Sequence, residues 1–344
     1  MKMKHLNKII LGLVLLTISS LKAQQDIHLS QYFVSPILFN PASAGAMAGD
    51  LRVMAHYRNQ WANVADPYKT IAAAVDMPFM TKMKSGKMGF GIDFYKDDAG
   101  DSKMATLNAN FSLSYHLDLT GNSNNFLSIG VKGGLIQRTI SGANLYWDEQ
   151  WNGTTFNQNI GTVDQLGITA VSAMDFGSGL YWHNAPKPGT EYFAGFSVMH
   201  FTSPNVSMTG TSEALLKKYT FNAGAEIPLK NENMAILPGY ILAIQGPNQY
   251  MNLGGEFKYM LKEKSKFTNY SNGIWMTMGG FVRFGDAAFV VSRFSWQNFI
   301  IGASYDFNVS QLSTAISGVG GLELSLGYKA SLDKGVRAHS VRFK

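Results

Sequence analysis

The 344 residues contain no cysteine. Disulfides, thiolate metal sites and lipid attachment through sulfur are thereby excluded. Long apolar runs are also lacking. Beyond Ile9–Ile18 no stretch is continuously apolar, so helical membrane spans are excluded downstream of it. No basic block carries interleaved aromatics, which removes nucleic acid as a partner. Neither a G-x-S-x-G elbow nor an H-E-x-x-H pair occurs. The seven histidines show no helical ligand spacing, and the expectation is a non-enzyme without cofactor or metal.

What is present points to the cell envelope. Hydrophobic residues make up 46% of the chain, yet mean hydropathy is only −0.04. Apolar side chains are therefore interleaved with polar ones. Aromatics reach 12% and glycines number 35, a composition suited to a large β structure. Residues 1–23 read as a secretory signal peptide. Lys2, Lys4 and Lys8 precede the apolar core, and Ala23 offers the cleavage point, although Leu21 is larger than usual two positions earlier. Without the four lysines of that leader the chain keeps 25 basic and 23 acidic residues, so the formal +6 falls to +2.

The dominant signal has period two. Ala105, Leu107, Ala109, Phe111, Leu113, Tyr115 and Leu117 alternate with Thr106, Asn108, Asn110, Ser112, Ser114, His116 and Asp118. Such an alternation outruns an ordinary strand of about 5–6 residues. It matches a membrane strand of about 9–11 residues tilted by about 45°, apolar toward lipid and polar toward the lumen. Similar segments cover Leu51–Gln60, Ile71–Phe79, Met88–Phe94, Leu127–Leu135, Gly167–Trp182, Glu191–Phe201, Lys218–Pro228, Met234–Ile244, Tyr250–Leu261, Gly273–Phe284, Ala287–Ser295, Asn298–Phe307 and Val319–Ala330. Met234–Ile244 and Ala287–Ser295 alternate least well.

The expected fold is all-β: a transmembrane outer-membrane β-barrel of about 14 antiparallel strands over residues 51–330. An irregular segment, 24–50, precedes it at the periplasmic mouth, and a periplasmic tail, 331–344, follows. With the first strand running outward, the long connections Gly142–Val163 and Thr202–Lys217 fall outside. The tight ones at Thr81–Lys87 and Leu229–Asn233 fall inside, as bacterial barrels require. Gly285-Asp286 and Lys262–Asn272 fit that rule less well. A soluble β-sandwich would also alternate, but strand length, strand number and signal peptide speak against it.

The stretch Gln31–Trp61 stands apart. Pro36 and Pro41 forbid a regular strand or helix in its first half. Tyr32, Phe33, Val34, Ile37, Leu38 and Phe39 are nevertheless apolar. An irregular, apolar segment must bury itself against structure built elsewhere. Tyr32, Phe33, Leu38 and Phe39 are expected to fold into or against the inner mouth and narrow it. Ser30, Gln31, Tyr32, Asn40, Pro41, Ala42, Ala44, Gly45, Tyr57, Arg58, Gln60 and Trp61 form a pattern that resembles the N-terminus of the PorP/SprF family. These are outer-membrane proteins of the type IX secretion and gliding-motility machinery of Bacteroidetes-type bacteria. Gln31, Tyr32, Phe33, Asn40, Pro41, Gly45, Tyr57, Arg58 and Trp61 make up the first candidate site.

The resemblance implies a barrel that binds, helps export or anchors a partner surface protein. SprF-like members act with large adhesins through a substrate's C-terminal domain. PorP-like members are associated with the periplasmic secretion ring and peptidoglycan-binding partners. A passive channel for small solutes, or a structural link to periplasmic and cell-wall partners, are the alternatives.

Tyr146, Trp147, Trp151 and Phe156 share one outer connection and are candidate partner contacts, or else fold over the mouth. The turn at Tyr95–Asp101 reads as a solvated hairpin and lacks the ligand spacing of a calcium loop. Ser112, Ser114 and His116 lie on one face of one strand with nothing to orient a nucleophile. The luminal face is expected to carry Arg52, Arg58, Asp76, Asp93, Lys132, Glu226, Glu256, Lys258, Arg283, Arg293 and Glu323. Mixed signs suit internal ion pairs that fill the bore, or a polypeptide groove, better than an ion-selective pore. Thr202–Lys217, rich in Ser and Thr, reads as a mobile loop.

Overall fold

Every period-two segment becomes a strand. They are β1 (Leu51–Gln60), β2 (Tyr68–Met83), β3 (Gly86–Ala99), β4 (Met104–Asp118), β5 (Asn125–Thr139), β6 (Ala170–Lys187), β7 (Thr190–Met199), β8 (Lys218–Pro228), β9 (Met234–Gln245), β10 (Asn248–Lys262), β11 (Ile274–Arg283), β12 (Ala287–Trp296), β13 (Phe299–Asn308) and β14 (Val319–Ala330). Each pairs antiparallel with its sequence neighbours, and β1 pairs with β14 from Leu51↔Ala330 to Gln60↔Gly321, closing a barrel. The computed structural model describes residues 26–47, 49–61, 67–83, 85–100, 103–121, 124–141, 147–157, 159–160, 169–208, 212–230, 233–262, 273–309 and 319–330. The expected signal peptide (1–23), the expected tail (331–344) and Tyr146 lie outside them.

Alternation sorts the side chains by solvent. Leu107 and Phe111 on β4 and Leu127, Ile129, Val131 and Leu135 on β5 point outward and are exposed. An exterior this apolar around a polar interior faces lipid. β1 begins and β14 ends at the same mouth. The long connections after β5 and β7 lie at the opposite mouth, which makes the first mouth periplasmic and the second external.

Residues 26–47 run inside the barrel. They enter at the periplasmic mouth and extend up the bore, past the inner rim where the sequence placed them. At the inner end Gly45 N–H donates to Asp76 on β2 at 2.8 Å. Midway, Lys132 of β5 donates to the Ile37 carbonyl at 2.9 Å. At the outer end Asp26 meets Tyr95, His200 and Lys218. Pro36 and Pro41 each open a short 3₁₀ turn, where a missing N–H costs nothing. Asn40 caps the second turn by accepting from Ala42 N–H at 3.0 Å.

This plug has its own apolar core. Leu29, Tyr32, Phe33, Val34 and Phe39 pack against Met54, Ile241, Phe281, Phe289, Val291 and Ile300 of the wall. That contact explains the two poorly alternating strands. Ile241 on β9 and Phe289 and Val291 on β12 face inward and are apolar because they receive the plug, while Val290 faces lipid. The wall also yields space. A Cβ on Gly130 of β5 would collide with the backbone of Pro41 and Ala42, and one on Gly89 of β3 with the Ala44 carbonyl.

Overpacking of this kind costs about 1–3 kcal/mol or more. Gly130→Val is therefore expected to lower the thermal unfolding midpoint in detergent. Gly280→Ala, whose Cβ meets nothing nearer than 3.8 Å, should leave it within about 1 °C.

Candidate functional site

The plug is irregular backbone in a space closed to bulk water, so its N–H and C=O groups need partners. The wall supplies them as side chains. Glu323 of β14 accepts from two successive plug amides, Ser30 N–H at 2.8 Å and Gln31 N–H at 3.0 Å. The Ser30 hydroxyl donates to Asp306 at 2.7 Å and accepts from Arg58 and Arg283, each at 2.9 Å. Gln31 donates to the Glu323 carbonyl and accepts from Ser325 at 2.7 Å. Ser197 donates to the Phe39 carbonyl at 2.5 Å. Ser114 and His116 both donate to the Ala44 carbonyl, at 2.7 and 2.8 Å. Two members of the Ser112, Ser114, His116 trio thus seat the plug, the plain polar role.

Buried ion pairs complete the lining. Arg52 pairs with Asp76 at 2.7 Å, Lys132 with Asp93 at 2.7 Å and Lys258 with Glu226 at 2.7 Å. Arg293 pairs with Glu256. Arg58 and Arg283 share Asp306, at 2.8 and 3.1 Å, and Arg58 also reaches Glu323 at 3.2 Å. All eleven charges assigned to the lumen from sequence are buried there and paired. Asp306 was missed, although the same alternation on β13 places it inward.

A second anchor holds the plug's outer end. Asp26 accepts from Tyr95 O–H at 2.6 Å, Lys218 Nζ at 2.9 Å and His200 Nε2 at 3.2 Å. His200 Nδ1 donates to Asp175 at 2.8 Å. Burial opposes the charge on His200, but Asp26 and Asp175 push its pKa up to about 9. Burial likewise opposes the Asp26 charge, but Lys218 and His200 hold its carboxyl well below the usual carboxylate range. Sequence reasoning missed this cluster because its members are far apart in the chain. Among the described residues no group of three or more His, Asp or Glu is placed to hold a metal.

A family model for the type IX secretion system membrane protein PorP/SprF matches residues 21–328. The chain belongs to this family. It is an outer-membrane barrel of the type IX secretion system. No curated protein matches the chain. Among solved structures, the CymD monoaromatic hydrocarbon channel is 11% identical, aligned over 88% of this chain and 94% of its own, with a TM-score of 0.46. The Pseudomonas putida toluene transporter TodX is 8% identical over 89% and 95%, with a TM-score of 0.45. BamA from Haemophilus ducreyi, lacking POTRA domains 1–3, is 11% identical over 82% and 70%, with a TM-score of 0.42. At these scores the likenesses carry no argument, and the barrel stands on its own closed strand order.

The PorP/SprF pattern acquires a structural meaning here. Gln31, Tyr32, Phe33, Asn40, Pro41 and Gly45 belong to the plug, and Arg58 on β1 is part of its seat. Tyr32 packs edge-on against Phe33, and Phe33 stacks on Phe281 under the Arg293 guanidinium. Asn40 donates to the Leu180 carbonyl at 2.9 Å. Gly45 has φ +67, and a Cβ there would press on Gly89 and Met77, so only glycine fits. Tyr57 faces outward, and Trp61 directly follows β1, packed edge-on against Tyr68.

The second candidate set sits elsewhere. Trp151 and Phe156 are 48% and 45% exposed, with ring centroids 5.0 Å apart across a two-residue β-bridge. Trp147 heads the short turn that leads into them, its N–H donating to Gln150 at 3.1 Å. Of Thr202–Lys217, expected as a mobile loop, residues 202–208 and 212–217 are described, and within them Val206 and Leu215 are buried against Ile136. Asp97 accepts from Thr70, and Asp98 pairs with exposed Lys96, as a hairpin end would.

Removing one partner of a buried ion network costs about 3–5 kcal/mol. Arg58→Met should therefore lower the unfolding midpoint far more than loss of exposed Lys96, measured by thermal melts in detergent. The outer anchor sets a pH signature. The His200 pKa is raised above its ordinary 6.5, so its contribution is full below about 6.5 and lost as pH rises through about 9. Asp26, depressed, contributes above the ordinary carboxylate range and loses its share only as pH falls through its folded value. The melting midpoint should drop between about pH 8 and about pH 10, and less so in His200→Gln.

Proposed function

We propose that this PorP/SprF barrel handles a secreted partner: it binds, helps export or anchors a surface adhesin through that protein's C-terminal domain. The observation that carries this reading is the filled bore. Free space beside Tyr32, Phe33 and Phe39 amounts to about 20 Å³, and beside Asp26, Tyr95 and His200 to about 30 Å³. Each holds about one or two waters. A solute-conducting pore needs a continuous wet path, and among the described residues these two cavities are too small to make one. Loss of the plug would expose Met54, Ile241, Phe281, Phe289, Val291 and Ile300 to water, so the plug belongs to the fold's core.

A barrel that does not conduct acts through its surfaces. Trp147, Trp151 and Phe156 fit partner recognition: a folded outer turn holds two rings half in solvent, and buried aromatics dominate protein interfaces. Tyr146 joins this proposed set by sequence. The signal peptide 1–23, cleaved on the way to the outer membrane, and a periplasmic tail 331–344 complete the proposed organisation.

The test is recovery of a partner in mild detergent, read by mass spectrometry. The intact barrel should retain a secreted protein or a periplasmic secretion component. Trp151→Ala with Phe156→Ala should cut recovery of a secreted partner by about tenfold or more without changing the melting midpoint. Recovery of neither class of protein would sink the reading.

A further inference from the structure

The connection from β7 to β8 is tied to the plug at both of its ends. His200, its first residue, and Lys218, which closes it, meet the same oxygen of Asp26, Oδ2, at 3.2 and 2.9 Å. Lys218 also donates to the Ile27 carbonyl at 3.3 Å. Between these ends the two arms, 200–208 and 212–217, pair with each other. Val206 N–H donates to the Glu213 carbonyl and Leu215 N–H to the Pro204 carbonyl, both at 2.9 Å. Val206 and Leu215 press onto Ile136, and Glu213 reaches across to Arg138 of β5 at 2.9 Å. The arms therefore lie over the outer mouth, on top of the plug.

We propose that the arms 200–208 and 212–217 form a lid that the plug's Asp26 latches shut. The apolar contact under the lid is small. The pair at its rim joins the buried Arg138 to a Glu213 that is 53% exposed, so solvent screens it and it restrains the lid less than a fully buried pair would. The Asp26 cluster is the strong restraint, because buried charges left without a partner are costly. It also borders free space. The cavity of about 30 Å³ is lined by Asp26, Tyr95, Asn110, Asp175, His200 and Lys218. Among the described residues Asp175 Oδ1 and Asn110 Oδ1 have no hydrogen-bond partner. Water entering there competes for the latch's donors.

The consequence is a connection between the two sides of the membrane. The plug runs from Asp26 at the outer mouth to Gly45 at the periplasmic one, where Asp76 and Lys87 hold it. A periplasmic protein that draws on residues 44–47 would act on the lid through Asp26. A ligand that lifts the lid would free the plug's outer end. This device is independent of which partner the barrel serves.

The cysteine-free chain allows a clean test. A single Leu215→Cys reporter is labelled with a maleimide in the folded, detergent-solubilised protein, alone and with Asp26→Asn. The latch predicts labelling faster by about a hundredfold in Asp26→Asn, restored in part by Asp26→Glu. Glu213→Gln should change it less than about threefold. Amide exchange of Val206 and Leu215, read in the parent and in His200→Gln, gives the same answer without the reporter, should Asp26→Asn not assemble. Unchanged labelling and unchanged exchange would overturn the lid. Partner recovery plays no part in either readout, so the two proposals fail separately.

Discussion

A barrel of fourteen strands encloses more space than its own side chains fill. About eight strands make an interior that side chains close, and about sixteen leave an aqueous channel. At fourteen the bore must hold water or something else, and here it holds residues 26–47. Because the plug is irregular, its backbone needs partners that no secondary structure provides. Much of the luminal chemistry answers that need: Glu323 on Ser30 and Gln31, Lys132 on Ile37, Ser197 on Phe39, His116 and Ser114 on Ala44.

The same need explains the ion pairs. A carboxylate that accepts two backbone N–H groups is a buried charge, and a buried charge requires a counter-charge. Glu323 therefore brings Arg58, which brings Asp306, which brings Arg283. The network links β11 and β13 to β1 and β14, the two strands that form the barrel seam. Plug and seam thus stabilise each other. The first turn of the chain that enters the bore is held by the last strand to complete it.

Much of this was legible in the sequence, and for a physical reason. Lipid enforces alternation, so the strands on Ala105–Leu119 and Val319–Ala330 announce themselves. Luminal charges follow from the same parity, down to individual residues such as Lys258 and Arg293. The two strands that alternated worst, β9 and β12, were the informative exceptions, since Ile241 and Phe289 face a protein core inside the barrel. Pro36 and Pro41 marked the plug as irregular, and its apolar side chains marked it as buried. Its path was not legible. The contact of Asp26 with His200 and Lys218 joins residues 174 and 192 positions apart, and no local pattern encodes it. The glycines that receive the plug offered a signal: Gly89 and Gly91 alternate with Met88 and Phe90 on the luminal side, where a missing side chain means close approach.

The central claim is that the plug fills this bore as part of the resting fold. Single-channel recording of the intact protein in planar bilayers tests it most directly. A filled bore predicts no steady ohmic conductance above the bare membrane, with at most brief and rare openings. A large, stable conductance from the folded, unmodified barrel would contradict it.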